Sequence, residues 1–171
     1  EIGIIVTHID ENGYLRFSKV GGLYIRDLVH RRVRFSNGVV GVIGSEEDEF
    51  NKKPDIRRLY IDIGADTRDE ANKSVSIGDA AVFCGETVVS GNRIISKALD
   101  NRAGCYILIS AMKKIKRNKN DLYFVFTTQE EVGLRGAKAA AYSVDPDYAI
   151  AIDVTDTGDT PECNVMDVKL G

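Results

Sequence analysis

The chain has no tryptophan, only 3 prolines and only 3 cysteines in 171 residues. Cys84, Cys105 and Cys163 are odd in number and lack Cys-x-x-Cys spacing, so neither a disulfide-stapled secreted domain nor a structural zinc finger fits. They read as reduced thiols, and the expected location is cytoplasmic. No apolar run approaches the roughly 18 residues needed to cross a bilayer, and no signal-peptide pattern is present. Net charge is slight too, at −3, and basic residues cluster only from Lys113 to Lys119. That cluster reads as a solvated helix C-terminus complementing the helix dipole, so no nucleic-acid or membrane partner is expected. The ends lack features as well. Glu1-Ile2-Gly3 runs straight into a strand pattern without an initiator Met, and Lys169-Leu170-Gly171 follows no terminal helix. Both are expected to be cuts through a longer protein.

What remains is ordinary globular material, 43% hydrophobic and 29% charged with 16 glycines, enough for one sizeable domain or two small ones. Residues 2–96 read as β-rich. Ile4–Ile9 and Tyr14–Phe17 flank Asp10-Glu-Asn-Gly13, and Arg32–Phe35 and Val39–Ile43 flank Asn37-Gly38. Asn-Gly between β-rich runs is a strong hairpin signal. Ser90-Gly91-Asn92 separates Thr87–Val89 from Arg93–Ile95, and Leu59–Ile63 is a further strand. Thr67 to Val75 predicts a short helix capped by Asp66 or Thr67, with Glu70 close behind. Closely spaced short strands with polar turns point to a small barrel or sandwich.

From Asp100 the period changes. Ala103, Ile107, Leu108, Ala111, Met112 and Ile115 recur at helical spacing up to about Lys116, with Cys105 expected in the core. Leu122–Phe126 is a continuous apolar run, as in a parallel strand covered on both faces. Arg135–Tyr142 is an alanine-rich second helix, and Tyr148–Ile152 a second buried strand. Helix, strand, helix, strand is the core of an α/β sandwich, with the boundary placed near Ser96 and Lys97.

Acidic residues mark the ends of these elements. Glu130 and Glu131 follow the first strand, Asp153 follows the second, and Asp100 opens the helix. Adjacent parallel strands would end at one sheet edge, where ligands bind in open α/β sheets. Crowded carboxylates repel unless a cation neutralises them, and a divalent ion with one carboxylate as ligand and another as base is the usual remedy. Each has an ordinary reading as well. An aspartate before a helix is often an N-cap, one after a strand a turn former, and a Glu-Glu pair a solvated loop charge. Gly133 and Gly136 just beyond the pair favour a tightly built turn.

Ala98-Leu-Asp-Asn-Arg-Ala-Gly104, Thr128-Gln-Glu-Glu-Val-Gly-Leu-Arg-Gly-Ala137 and Ala151-Ile-Asp-Val-Thr155 closely resemble the M42 metallo-aminopeptidases, a group that includes glutamyl and tetrahedral aminopeptidases. Val20-Gly-Gly22, Tyr60–Ala65 and Gly158-Asp-Thr-Pro161 agree with the same family. The resemblance implies an inserted β-rich domain, PDZ-like or a small barrel, over 1–96, used for oligomer contacts. Part of an α/β/α zinc-peptidase-like catalytic domain would follow over 97–171. It implies two divalent ions, zinc or cobalt, bridged by Asp100 and ligated by Glu131 and Asp153. Glu130 would be the general base. Short peptides would be the substrates and a homo-oligomer, often a dodecamer, the assembly. The family's two histidine ligands would fall outside, one just before Glu1 and one beyond Gly171. His8 sits past the first of those positions, inside a strand, and His30 reads as a surface residue.

Two rivals remain: a metal-independent glycosidase working with Glu130 and Asp153, and a non-catalytic assembly fragment.

Overall fold

The computed structural model describes residues 2–46, 55–158 and 160–163. Six short antiparallel strands close a barrel: β1 (Gly3–Ile9), β2 (Leu15–Val20), β3 (Arg32–Phe35), β4 (Val40–Ser45), β5 (Leu59–Asp62) and β6 (Ala80–Phe83), in the order β1-β2-β5-β4-β3-β6. Of the two architectures expected for this half, the barrel is the one that forms. Sequence reasoning missed β6, whose pairing of Ile4 with Ala81 and of Val33 with Phe83 closes the sheet.

Period-two alternation builds the interior. Leu15 and Phe17, Val33 and Phe35, and Leu59 and Ile61 point inward, each at most 5% exposed, while their strand neighbours face out. The register slips between Val6 and His8 in β1, a bulge that leaves Thr7 and His8 both exposed and returns Ile9 to the core. His8 therefore stands on the outside of the barrel, and His30 is exposed as well. Leu28, Ala71 and Val75 complete the core from connecting segments.

Local signals in this half act as their chemistry requires. At Asn37-Gly38 the Phe35 N–H donates to the Val39 carbonyl at 2.9 Å, closing the β3–β4 hairpin. Helix α1 (Arg68–Asn72) is capped by Thr67, whose hydroxyl accepts from the Glu70 N–H at 3.2 Å. Glu70 in turn accepts from the Asp66 N–H at 3.1 Å, one residue earlier than a regular capping box. A separate hairpin, β7 (Val88–Ser90) and β8 (Arg93–Ile95), turns through Gly91 and Asn92.

Helices α2 (Leu99–Lys114) and α3 (Arg135–Val144) follow, close to the expected spans. The strands expected at Leu122–Phe126 and Tyr148–Ile152 carry no ladder pairing among the described residues. A strand exists only through neighbours that take up its N–H and C=O groups, and neither segment has such pairing among the described residues. Their apolar side chains stay open: Tyr123 is 66% and Ile150 88% exposed. Cys105, expected in the core, is exposed as well, on a face of α2 that the described residues leave open.

Candidate functional site

The N-terminus of α2 is irregular. Asp100 and Asn101 depart from helical geometry, with ψ of 114° and 45°, and the peptide bond between them is cis. The cap comes from Asn101 rather than Asp100: its Oδ1 accepts from the Gly104 N–H at 3.0 Å. Asp100, whose ordinary reading was an N-cap, is left exposed at the mouth of the helix. The Asn101 Nδ2 donates to the Ile152 carbonyl at 2.8 Å. That single bond brings the segment ending in Asp153 against the start of α2. Asp153 is exposed, and its Oδ1 accepts from the Val154 N–H at 2.8 Å.

Glu130 and Glu131 occupy a compact turn leading into α3. The Glu130 carbonyl accepts from the Gly133 and Leu134 N–H groups, both at 3.0 Å. Beyond it, the Gln129 carbonyl accepts from Arg135 at 3.2 Å and the Thr128 carbonyl from Gly136 at 3.0 Å. The glycine at 136 is required by that approach, because a Cβ there would lie 2.7 Å from the Thr128 nitrogen. Gln129, Gly133 and Leu134 all take positive φ, at 61°, 110° and 56°. Left-handed backbone at Gln129 and Leu134 costs energy that a plain surface turn would avoid, and such residues gather at functional sites. The Glu-Glu pair thus sits on an over-determined turn, with both carboxylates on exposed residues.

Oxygen donors of this kind suit hard or borderline divalent cations. Among the described residues, however, no three His, Cys, Asp or Glu side chains gather as a metal ion requires. Asp100, Glu131 and Asp153 do not make a complete ligand set by themselves. The bonds of Asn101, which link the start of α2 to the segment just before Asp153, escaped sequence reasoning. The signal was the three-residue spacing to Gly104 at a helix start, the pattern of a capping bond. A cavity of about 440 Å³ lies elsewhere, lined by Lys19, Leu23, Tyr24, Ile25, Arg26 and Asp27, and shares no residue with the acidic positions.

Comparison with known proteins places the chain in a family. A relative from Acetivibrio thermocellus, named as a candidate aminopeptidase, is 56% identical over 172 residues, covering 100% of this chain and 52% of its own length. The lysyl aminopeptidase of Pyrococcus furiosus is 36% identical over 167 residues, covering 91% and 48%. Among solved structures, an aminopeptidase of Desulfurococcus kamchatkensis superposes with a TM-score of 0.87 at 42% identity, over 96% of this chain and 48% of that one. The TET1 peptidase of Pyrococcus horikoshii, described as assembling into a tetrahedron or a large octahedral shell, gives 0.75 at 39% identity, over 94% and 53%. A Thermotoga maritima protein named as an endoglucanase gives 0.77 at 36% identity, over 95% and 48%. The chain spans about half the length of the relatives it matches. The family model for M42 glutamyl aminopeptidases matches residues 1–171, and the chain belongs to that family.

Proposed function

We propose that the intact protein is a metal-dependent aminopeptidase that removes N-terminal residues from short peptides and works as a homo-oligomer. The observation that carries this reading is the family match over the whole chain, supported by an aminopeptidase relative and aminopeptidase structures. Residues 1–96, which include the six-stranded barrel, are the inserted oligomerisation domain in this proposal, and 97–171 are part of the α/β/α catalytic domain. Exposed apolar side chains on the outside of the barrel and on the β7–β8 hairpin, such as Val82 and Val89, suit an assembly surface.

Two divalent ions, zinc or cobalt, belong to this reading; Asp100, Glu131 and Asp153 would help to hold them, and they would supply the charge that activates a water and polarises the scissile carbonyl. Further ligands come from outside the described residues. Glu130 is the base. A carboxylate on the turn before α3 takes the proton of the attacking water and returns it to the leaving amine. The over-determined turn around it supplies the fixed position that such proton transfer needs.

The endoglucanase name of the Thermotoga neighbour keeps a second reading in play, a glycosidase using Glu130 and Asp153. One experiment separates them. The intact protein is assayed on aminoacyl anilides and on glucans, before and after EDTA, with zinc or cobalt added back. Aminoacyl hydrolysis that is lost on chelation and restored by metal supports the aminopeptidase. Glucan cleavage that survives chelation overturns it, and inactivity on both substrates leaves the non-catalytic assembly role.

A further inference from the structure

The carboxamide of Asn101 works in two directions. It accepts from the Gly104 N–H within its own helix and donates to the Ile152 carbonyl, 51 positions along the chain. The partners fix which way the amide faces: Gly104 offers only an N–H and Ile152 only a carbonyl, so a flipped amide would oppose donor to donor and acceptor to acceptor. The bond to Ile152 is partly buried, and Gly104 is buried. A Cβ at Gly104 would lie 2.9 Å from the Asn101 Cγ and 3.0 Å from its Nδ2, and closer still to Oδ1. Only glycine leaves room for this pose. One residue before Asn101 stands Asp100, and one residue after Ile152 stands Asp153.

We infer that Asn101 is a positioning residue, clipping the segment that carries Asp153 to the start of α2 and so setting the spacing between the Asp100 and Asp153 carboxylates. Gly104 is the second half of the device, the space the clip needs. The inference rests on the proposed reading that these two aspartates serve one site. Residues 149–157 have no regular secondary structure among the described residues, so no ladder holds Asp153 in place there. A side-chain bond from a helix start takes over that work.

The test is a double-mutant cycle in the intact protein, with Asn101→Ala, Gly104→Ala and both together. Each is read by kcat and KM on an aminoacyl anilide, by hydrogen exchange of residues 149–155, and by thermal unfolding. Loss of alignment without loss of substrate contacts predicts a fall in kcat of roughly ten- to a hundredfold for either single variant, with KM nearly unchanged. Exchange at 149–155 accelerates in both, while the melting transition stays cooperative. In the Asn101→Ala background the three atoms nearest to the added methyl of Gly104→Ala are gone, so the double variant is expected to match Asn101→Ala alone. Additive losses, or a kcat loss without faster exchange at 149–155, overturn the inference. So does an Asn101→Ala enzyme with normal kcat when Asp100→Ala is inactive. If Asp100→Ala and Asp153→Ala themselves keep full turnover, the reading of the site fails first, and the two failures are told apart.

Discussion

Residues 3–83 and residues 97–163 are comparably apolar in sequence, yet they bury their side chains very differently. Every buried hydrophobic side chain among the described residues lies between Ile4 and Ala81. In the later stretch Tyr148 is 94% exposed and Ile150 88%. The total accessible surface, 13446 Å², is roughly 1.6 times what a compact monomer of this mass would show. The barrel is closed: each strand finds its neighbours within 80 or so positions and each inward side chain meets others. The later stretch holds the acidic residues, but its helices and unpaired apolar runs await cover that the described residues do not supply. Packing and acidic positions are thus segregated along the chain. The barrel has the finished core, and the later stretch has the turns that carry Asp100, Glu130, Glu131 and Asp153.

This contrast can be broken, and the sharpest attempt is a pair of core and surface truncations. Ile61→Ala, at a fully buried barrel position, should cost about 2–5 kcal/mol by cavity formation. Ile150→Ala should change the stability of the 171-residue chain by less than about 0.5 kcal/mol. Urea titration of both variants checks this, and equal losses would erase the distinction. Native-state hydrogen exchange reads the same contrast without mutation. Barrel amides such as that of Ile43, bonded to the Arg31 carbonyl at 2.9 Å, should exchange only at global unfolding, and those of 122–126 near the rate of open chain.

A smaller effect tests one local device inside the barrel half. Thr67→Ala removes the cap of α1 and should cost about 1 kcal/mol, with Thr67→Ser recovering most of it in thermal melts. The smallest effect lies at the barrel's edge. The Arg57 side chain, hydrogen-bonded to Asp55, lowers its carboxyl from 3.8 to about 2. A carboxyl with a depressed folded pKa stabilises above its ordinary value, and that contribution disappears as pH falls toward 2. Asp55→Asn should therefore be slightly less stable than the parent at neutral pH, with the difference vanishing as pH falls through about 2. Because Arg57 is exposed, the difference is small and salt-sensitive.

Legibility followed the same division. Hairpins at Asn37-Gly38 and Ser90–Asn92 and the Thr67 cap were readable because their causes lie within a few residues. Barrel closure was not, since the pairing of Ile4 with Ala81 is a tertiary event and Ala80–Phe83 is too short to declare itself. In the acidic half, periodicity identified α2 and α3 and the apolar runs between them. It marks the face that seeks cover without saying where the cover is, which is why Cys105 and Leu122–Phe126 lie open. The sequence marks Glu130, Glu131 and Asp153 as acids that follow apolar runs, and Asp100 as an acid at a helix start. The cap at Asn101 depends on a kinked helix start, and its bond to Ile152 joins segments far apart in sequence.

The claim that matters most is that the acidic half performs the chemistry and that Glu130 is its base. Glu130→Gln keeps the size and the backbone turn while removing the proton acceptor. In the intact protein it should lower kcat on an aminoacyl anilide by about 10²–10⁴-fold, with melting temperature and metal content unchanged. A Glu130→Gln enzyme that turns over at the parent rate would contradict the account.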